Sequence, residues 1–537
     1  MARAVAAVPE RDSTWLAKIT SRVRIEAPSP AEWIGATITA LLLVLSFPDF
    51  NFPFLAWIAL VPLLIMIARR PRGFSVFVLG WFTGTVFFYA SCYWLTYSMI
   101  HYGGLSSPLA YLLLLPGAVV VGLFPGLAML ATATALRRWS TPAIFFAPLF
   151  WAACEWARLE VTGQLWNALG YSQAEMFNGL AIGLARWGGV YAISFLLVLI
   201  NCAITFVLVR RTWDALIISA TVSAIAVAIA LVSSQFGIGL HSDPIAYLYV
   251  VAVQPNVPMS PIKSTEESEQ LFEQHKQLSL QGLQKLPSDS VPRLVIWPES
   301  PMNFTYGTDK NLQERISKFT RDNHTSLLMN SLETAPANGA YNSALLINED
   351  GRLIAQYDKI RLMPFGEYVP LPQWLGGSLI SGIVGDFTPG TKYTLMPVAG
   401  KRAGTFICIE SAYPWIARRL TDEGADLLIN ISNDGYLGPT AVMHQHLENV
   451  ILRAVENGRL LLRVTNSGLS AKIRPDGFVE DVTRGFEPTV RVWEVSDERT
   501  VTFYSKYGDV FVAVCSILTG VALATLVFSR RRISNLR

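Results

Sequence analysis

Three short segments of the chain end an apolar run in a reactive side chain and then turn. VIWPES carries Glu299, AQYDKIRLMPFGEYVP carries Lys359 and Glu367, and TFICIESAYP carries Cys408 and Glu410. A thiol that attacks a carbonyl needs a base to take its proton, and the tetrahedral oxyanion needs a cation or a hydrogen-bond donor. Glutamate, lysine and cysteine supply those parts. Singly, each has a plainer reading: Cys408 as a small core residue, Glu299 as a solvated loop carboxylate, Lys359 as a surface lysine beside Asp358. Only the ordered set points to chemistry.

Neighbouring polar residues divide in the same way. Glu410 lies two positions after Cys408, so on an extended strand it shares a face with the thiol. A site role for it competes with a structural ion pair. Asn342 and Asn433 are turn formers by type. His444 and His446 flank Gln445 in HQH, and with no third ligand placed they read as helix-surface histidines. No metal and no cofactor is expected.

Side chains of this kind are commonly presented by strand ends of an α/β sheet. Periodicity predicts strands over 246–253, 293–297, 325–330, 342–347, 352–357, 404–409, 426–431 and 460–465, with helices near 266–285, 310–321, 413–424 and 442–457. Their alternation argues for a layered α/β domain over 237–507.

The rest of the chain is of another kind. Hydrophobic residues make up 52% and charged residues only 15%. Apolar runs near 31–48, 53–69, 73–99, 108–136, 142–159, 186–210, 214–236 and 508–529 have roughly the length that crosses a bilayer. The expected organisation is a tail over 1–30, seven transmembrane helices over 31–236, the polar domain, an eighth helix over 508–529 and a tail over 530–537. Arginines cluster after the second, fourth, sixth and eighth runs, at Arg69, Arg70 and Arg72, Arg137 and Arg138, Arg210 and Arg211, and Arg530 to Arg532. Read as cytoplasmic, they put both ends of the chain inside and 237–507 outside. The basic segment ahead of the first run reads as a retained tail, not a cleaved signal peptide.

A net charge of +3, spread in short clusters, gives no nucleic-acid surface. Four of the five cysteines fall in apolar runs, so no disulfide framework is expected around Cys408. Glu155 and Arg158 share a helix face in the fifth run, which suggests a functional or structural ion pair. Trp151, Trp156 and Trp166 read as an interfacial belt. The connection 365–387 is apolar at Trp374, Leu375, Leu379 and Ile380, and rich in glycine. It reads as a mobile lid following Glu367, against the alternative of a loop packed in the core.

In this order, the three reactive contexts resemble the nitrilase (carbon–nitrogen hydrolase) superfamily, as do VAVQPNV, YNSALLI, ISNDGYLG and RAVENGRLLLRVTNSG. The resemblance implies an αββα sandwich with Glu299 as general base, Lys359 as oxyanion stabiliser, Cys408 as nucleophile and Glu367 positioning the lysine. Asn342 is then a supporting residue, and Gln254, Asn256, Asn433 and Tyr436 are expected near substrate. With eight apolar spans added, the chain resembles the apolipoprotein N-acyltransferase family. That implies a multi-pass enzyme of the bacterial inner membrane with its polar domain in the periplasm. A phospholipid would give its acyl chain to Cys408 as a thioester, and the N-terminal diacylglyceryl-cysteine of an apolipoprotein would receive it, with ping-pong kinetics. Two departures stand out: Tyr436 where tryptophan is expected, and Ile409 where an aromatic is expected. Two rival readings are a membrane-anchored amidase or nitrilase with water as acceptor, and a transporter with a regulatory domain. Few central charges or paired broken helices favour the transporter.

Overall fold

The computed structural model describes residues 27–71, 73–175, 181–235, 245–259, 264–288, 290–336, 339–364, 366–368 and 387–534. Trp374, Leu375 and most of the apolar connection expected to form a lid lie outside these residues.

Prolines and a serine decide where the apolar runs break. The helices are α1 (Pro30–Leu45), α2 (Val61–Arg69), α3 (Gly73–Ser91), α4 (Leu95–His101), α5 (Ser107–Trp139), α6 (Ala147–Thr162), α7 (Ala185–Arg210) and α8 (Trp213–Gln235). At the start of α1 the Ser29 side chain accepts the Glu32 N–H and Glu32 reaches back, a reciprocal cap. Pro53 and Pro142 open single 3-10 turns, and the first-turn prolines Pro62 and Pro148 follow in α2 and α6. These breaks shorten the helices below the predicted runs. Among the described residues, Gly73–Ser91, Ser107–Trp139, Ile182–Arg210 and Trp213–Ser234 are long and apolar enough to cross a membrane. Pro30–Leu45 and Pro53–Arg69 are shorter apolar helices.

Small residues let α3 and α5 approach closely, as in membrane helix pairs. A Cβ on Gly122 would stand 2.6 Å from the Thr85 amide nitrogen, and one on Gly84 would stand 3.0 Å from the Gly122 Cα. Larger side chains at either position would force the helices apart.

The polar domain is built of two six-stranded sheets. One runs β12-β1-β2-β3-β4-β5 and the other β11-β10-β9-β8-β7-β6. The first contains β1 (Leu248–Gln254), β2 (Arg293–Ile296), β3 (Ser326–Thr334), β4 (Ala340–Ile347), β5 (Leu353–Asp358) and β12 (Thr489–Val495). The second contains β6 (Leu395–Val398), β7 (Lys401–Ile407), β8 (Leu427–Ser432), β9 (Leu461–Thr465), β10 (Ala471–Ile473) and β11 (Val479–Glu480). β6, β10, β11 and β12 were not anticipated from the sequence pattern. β6, β11 and β12 are edge strands, β10 lies between β11 and β9, and all but β12 are short.

Both faces of the first sheet are covered, which is why LYVVAVQ of β1 is buried throughout instead of alternating. Val250, Ala252, Leu294 and Ile296 meet Ile407, Ile429 and Val464 of the second sheet. Tyr249, Val251 and Val295 face the opposite way, onto α9 (Thr265–Leu283) and α10 (Lys310–Asp322). The second sheet is covered by α11 (Pro414–Asp422) and α12 (Val442–Asn457), completing an αββα sandwich. Every residue of α12 from Gln445 to Asn457 is buried. The helix is enclosed because its far side packs on α7, and one apolar cluster runs unbroken from Phe406 and Leu461 into the helical region. The chain ends in α13 (Phe503–Tyr507) and α14 (Val510–Ser534).

Candidate functional site

Glu299, Lys359 and Cys408 follow the C-terminal ends of β2, β5 and β7. The buried indole of Trp297 donates to Ser279 Oγ (2.9 Å), and its amide donates to the Leu328 carbonyl (2.8 Å). The tryptophan thereby fixes the turn that presents Glu299. The Lys359 amide donates to the Asn342 carbonyl (2.8 Å), which holds the lysine over β4.

Lys359 Nζ lies 3.2 Å from Glu299 Oε1 and 2.9 Å from Glu367 Oε1. Asn342 Nδ2 donates to the same two oxygens, at 2.8 and 2.7 Å. Asn330 Nδ2 donates to Asn342 Oδ1 (2.7 Å), which fixes the amide's orientation, since its oxygen must face that donor. Glu367 Oε2 accepts the Met363 amide (2.7 Å). Glu299 Oε2 takes no hydrogen bond among the described residues. Burial opposes the charge on Lys359, but the two carboxylates outweigh it and hold its pKa well above the usual lysine range. It is therefore a fixed cation with no proton to lose in the neutral range.

Cys408 begins a 3-10 turn (Cys408–Ala412) with φ +52°, a left-handed conformation uncommon outside glycine. The thiol is within electrostatic range of Glu299, Lys359, Asp434 and Glu367. Burial, with Glu299 adding to it and Lys359 opposing, pushes it up to about 12. At neutral pH it is a thiol, so attack must pass its proton to a base.

Glu410 corrects the expectation that it faces the thiol along a strand. The strand ends at Ile407, and the turn swings the carboxylate inward. Its Oε1 accepts the amides of Ile360 (2.7 Å) and Arg361 (3.1 Å), its Oε2 accepts the Ile407 amide (2.7 Å), and the Tyr357 hydroxyl lies within 3.0 Å of both. One carboxylate thus straps the lysine turn of the first sheet to the cysteine turn of the second. Burial pushes it up to about 7 against the pull of the backbone amides.

His446 is also corrected: it is buried, not on a helix surface. Its Nδ1 stands 2.9 Å from Asp434 Oδ1 and its Nε2 3.0 Å from the Cys408 carbonyl. Asp434 Oδ2 accepts from Arg463 Nη2 (2.8 Å), and Arg463 with His446 holds the carboxyl down at about 2 against burial. His444 is exposed. No cluster of three metal-ligating side chains occurs among the described residues.

The other expected residues have structural partners. Gln254 donates to the carbonyls of Arg484 and Glu487, and its oxygen accepts from Ser470 and Thr483. Asn256, at φ +51°, donates to the Phe486 carbonyl. Asn433 Oδ1 accepts the Gly435 amide, an Asx turn. Tyr436 stacks on Tyr102, with ring centroids 5.2 Å apart, so the turn Gly435–Leu437 rests on the residue that follows α4.

Three residues given no individual role by the sequence reading tie this site to the helical region. Gln445 Oε1 accepts the indoles of Trp94 (3.0 Å) and Trp166 (2.7 Å), while its Nε2 donates to the carbonyls of Pro48 (3.0 Å) and Ser91 (2.9 Å). Arg453 donates to the Ser411 carbonyl in the cysteine turn and to Glu456, whose Oε1 accepts the Val190 amide beyond the Gly188–Gly189 kink of α7. Trp151 and Trp166 are accordingly buried rather than forming a belt. Glu155 and Arg158 form no direct ion pair among the described residues. Glu155 accepts from Trp151 and the Leu169 amide, and Arg158 donates to the carbonyls of Trp166 and Leu165.

Comparison with known proteins places both parts of the chain in known families. Residues 39–203 match the apolipoprotein N-acyltransferase N-terminal domain, and residues 251–496 match the carbon-nitrogen hydrolase family. An apolipoprotein N-acyltransferase of Geobacter metallireducens is 31% identical over 513 residues, spanning 94% of this chain and 96% of that one. One from Pseudomonas putida is 31% identical over 461 residues, 83% of this chain and 87% of that one. Among solved structures, an amidase from Nesterenkonia sp. is similar over 49% of this chain and 93% of its own, at 18% identity and a TM-score of 0.35. With both family matches in order and a relative covering nearly its full length, the chain belongs to the apolipoprotein N-acyltransferase family.

Proposed function

We propose that this enzyme moves an acyl chain from a phospholipid to Cys408 and from there to the α-amino group of an apolipoprotein's N-terminal diacylglyceryl-cysteine. The observation that carries the reading is the convergence of Glu299, Lys359 and Cys408 at the ends of strands from two facing sheets. In the first half, Cys408 Sγ attacks the ester carbonyl while Glu299 takes the thiol proton. Lys359, held charged by Glu299 and Glu367, stabilises the oxyanion. The lysophospholipid leaves with that proton and a thioester remains. In the second half the amine attacks the thioester and gives its proton to Glu299, which returns it to the departing Cys408 thiolate. Asn342 and Glu367 position Glu299 and Lys359. An acyl-enzyme divides one hard transfer into two easier ones.

The same proposal places the enzyme in the bacterial inner membrane with eight spanning segments, both ends of the chain in the cytoplasm and the sandwich in the periplasm. The arginine clusters between the apolar runs support that orientation. The same proposal reads the apolar, glycine-rich segment 365–387, with Trp374 and Leu375, as a lid that admits acyl chains.

The test is incubation of purified protein with labelled phospholipid, then with a diacylglyceryl peptide. A hydroxylamine-sensitive adduct on Cys408 that chases into the peptide is expected. Cys408→Ala should abolish it, and Glu299→Gln and Lys359→Ala should each slow it by about 100-fold or more. An adduct that persists in Cys408→Ala moves the nucleophile elsewhere, and free fatty acid without acyl-peptide makes the enzyme a hydrolase.

A further inference from the structure

The ring of His446 stands between two oxygens that can only accept. Nε2 lies 3.0 Å from the Cys408 carbonyl, and Nδ1 lies 2.9 Å from Asp434 Oδ1. A carbonyl has no proton to give, and Asp434 is an ionised carboxylate because Arg463 pairs with its other oxygen at 2.8 Å. A neutral imidazole carries one N–H and one bare lone pair. In either tautomer it would turn that lone pair onto an oxygen lone pair at hydrogen-bond distance, in a site where the ring is 3% exposed. Such a contact loses a hydrogen bond and adds repulsion in a low-dielectric setting. Only the doubly protonated ring satisfies both neighbours.

We propose that His446 is a positioning residue that acts as an imidazolium, clamping the cysteine turn through the Cys408 carbonyl and easing formation of the Cys408 thiolate by its charge. This rests on Cys408 being the nucleophile. Burial and the Arg463 guanidinium draw the imidazole below its ordinary range, against the pull of Asp434. The hydrogen-bond geometry argues the other way, since both ring nitrogens face acceptors. From the remaining side the ring meets Trp166, at a centroid distance of 5.7 Å, which carries no charge. The groups around the thiol itself are Glu299, Lys359, Asp434 and Glu367. Without the imidazolium, Asp434 would face Cys408 with only Arg463 to offset it.

The clamp also links the nucleophile to the helical region. The residue before His446 is Gln445, whose amide binds Trp94, Trp166, Pro48 and Ser91. One turn of α12 therefore holds the cysteine on one side and four points of the helical region on the other.

The experiment compares His446→Gln and His446→Leu with wild type by the pH dependence of Cys408 alkylation with iodoacetamide and by thermal unfolding. Glutamine keeps a donor for the Cys408 carbonyl but no charge, so the melting temperature should stay near wild type while alkylation at about pH 8 slows by about tenfold. Leucine loses both functions and should lower melting temperature as well. An alkylation profile of His446→Gln that superposes on wild type overturns the proposal and leaves His446 a structural residue. A second measurement needs no variant: 15N spectra of histidine-labelled wild type at about pH 9, well above the ordinary imidazole range. One histidine should remain protonated on both nitrogens, and finding none refutes the idea. Loss of the Cys408 acyl adduct in wild type would instead overturn the function reading, so the two failures are distinguishable.

Discussion

Gln445→Leu removes one buried amide while keeping nearly the same volume. In the native protein that amide makes four hydrogen bonds between 2.7 and 3.0 Å, two from indoles and two to backbone carbonyls. Trp94 and Trp166 are themselves 4% and 6% exposed, so neither indole can turn to water. Each orphaned buried donor costs about 1–3 kcal/mol, and the two together about 2–6 kcal/mol. The leucine returns about 1–2 kcal/mol by burying apolar surface, leaving a net loss of about 0–5 kcal/mol, centred on about 2.5 kcal/mol. At about 2–4 °C per kcal/mol, that central loss lowers melting by about 5–10 °C. Tryptophan fluorescence on heating in detergent reads it directly. A double-mutant cycle with Trp166→Phe sharpens the test, because phenylalanine removes one orphan in advance. The double variant should lose less than the sum of the two singles by about 1 kcal/mol or more. Strict additivity, or a Gln445→Leu protein as stable as wild type, refutes the idea that this amide joins the sandwich to the helices.

Glu410 should carry a pH signature. Burial raises its carboxyl from 4.5 to about 7, so the folded state takes up a proton in that interval and stability falls as pH rises through it. The slope amounts to about 3 kcal/mol and should vanish in Glu410→Gln, measured by urea unfolding between about pH 4.5 and pH 8. Cysteines introduced at Ser288 and Ser496 should react with an impermeant thiol reagent in cells whose outer membrane is permeabilised. Protection of both would reverse the proposed orientation.

Much of this was legible in the sequence because the relevant signals are local. An apolar strand followed by a polar turn marks the ends of β2, β5 and β7, and the strict order Glu299, Lys359, Cys408 survives without any knowledge of contacts. Apolar runs mark the helices, but prolines and turns trim several of them, and four long apolar helices are found among the described residues. Edge strands such as β11, with two residues, carry too little pattern to be read.

What only the tertiary structure decided is the role of each polar side chain. Glu410, Asn342 and His446 have ordinary neighbours in the chain, and their partners lie 53, 43 and 38 residues away. The sequence determined the reactive groups and the strands that present them, since both follow from residue type and short-range periodicity. Whether a carboxylate bases, straps or positions depends on which donors surround it. Here that depends on two sheets meeting face to face and on α12 being closed in by α7, a consequence of long-range packing that no local pattern encodes.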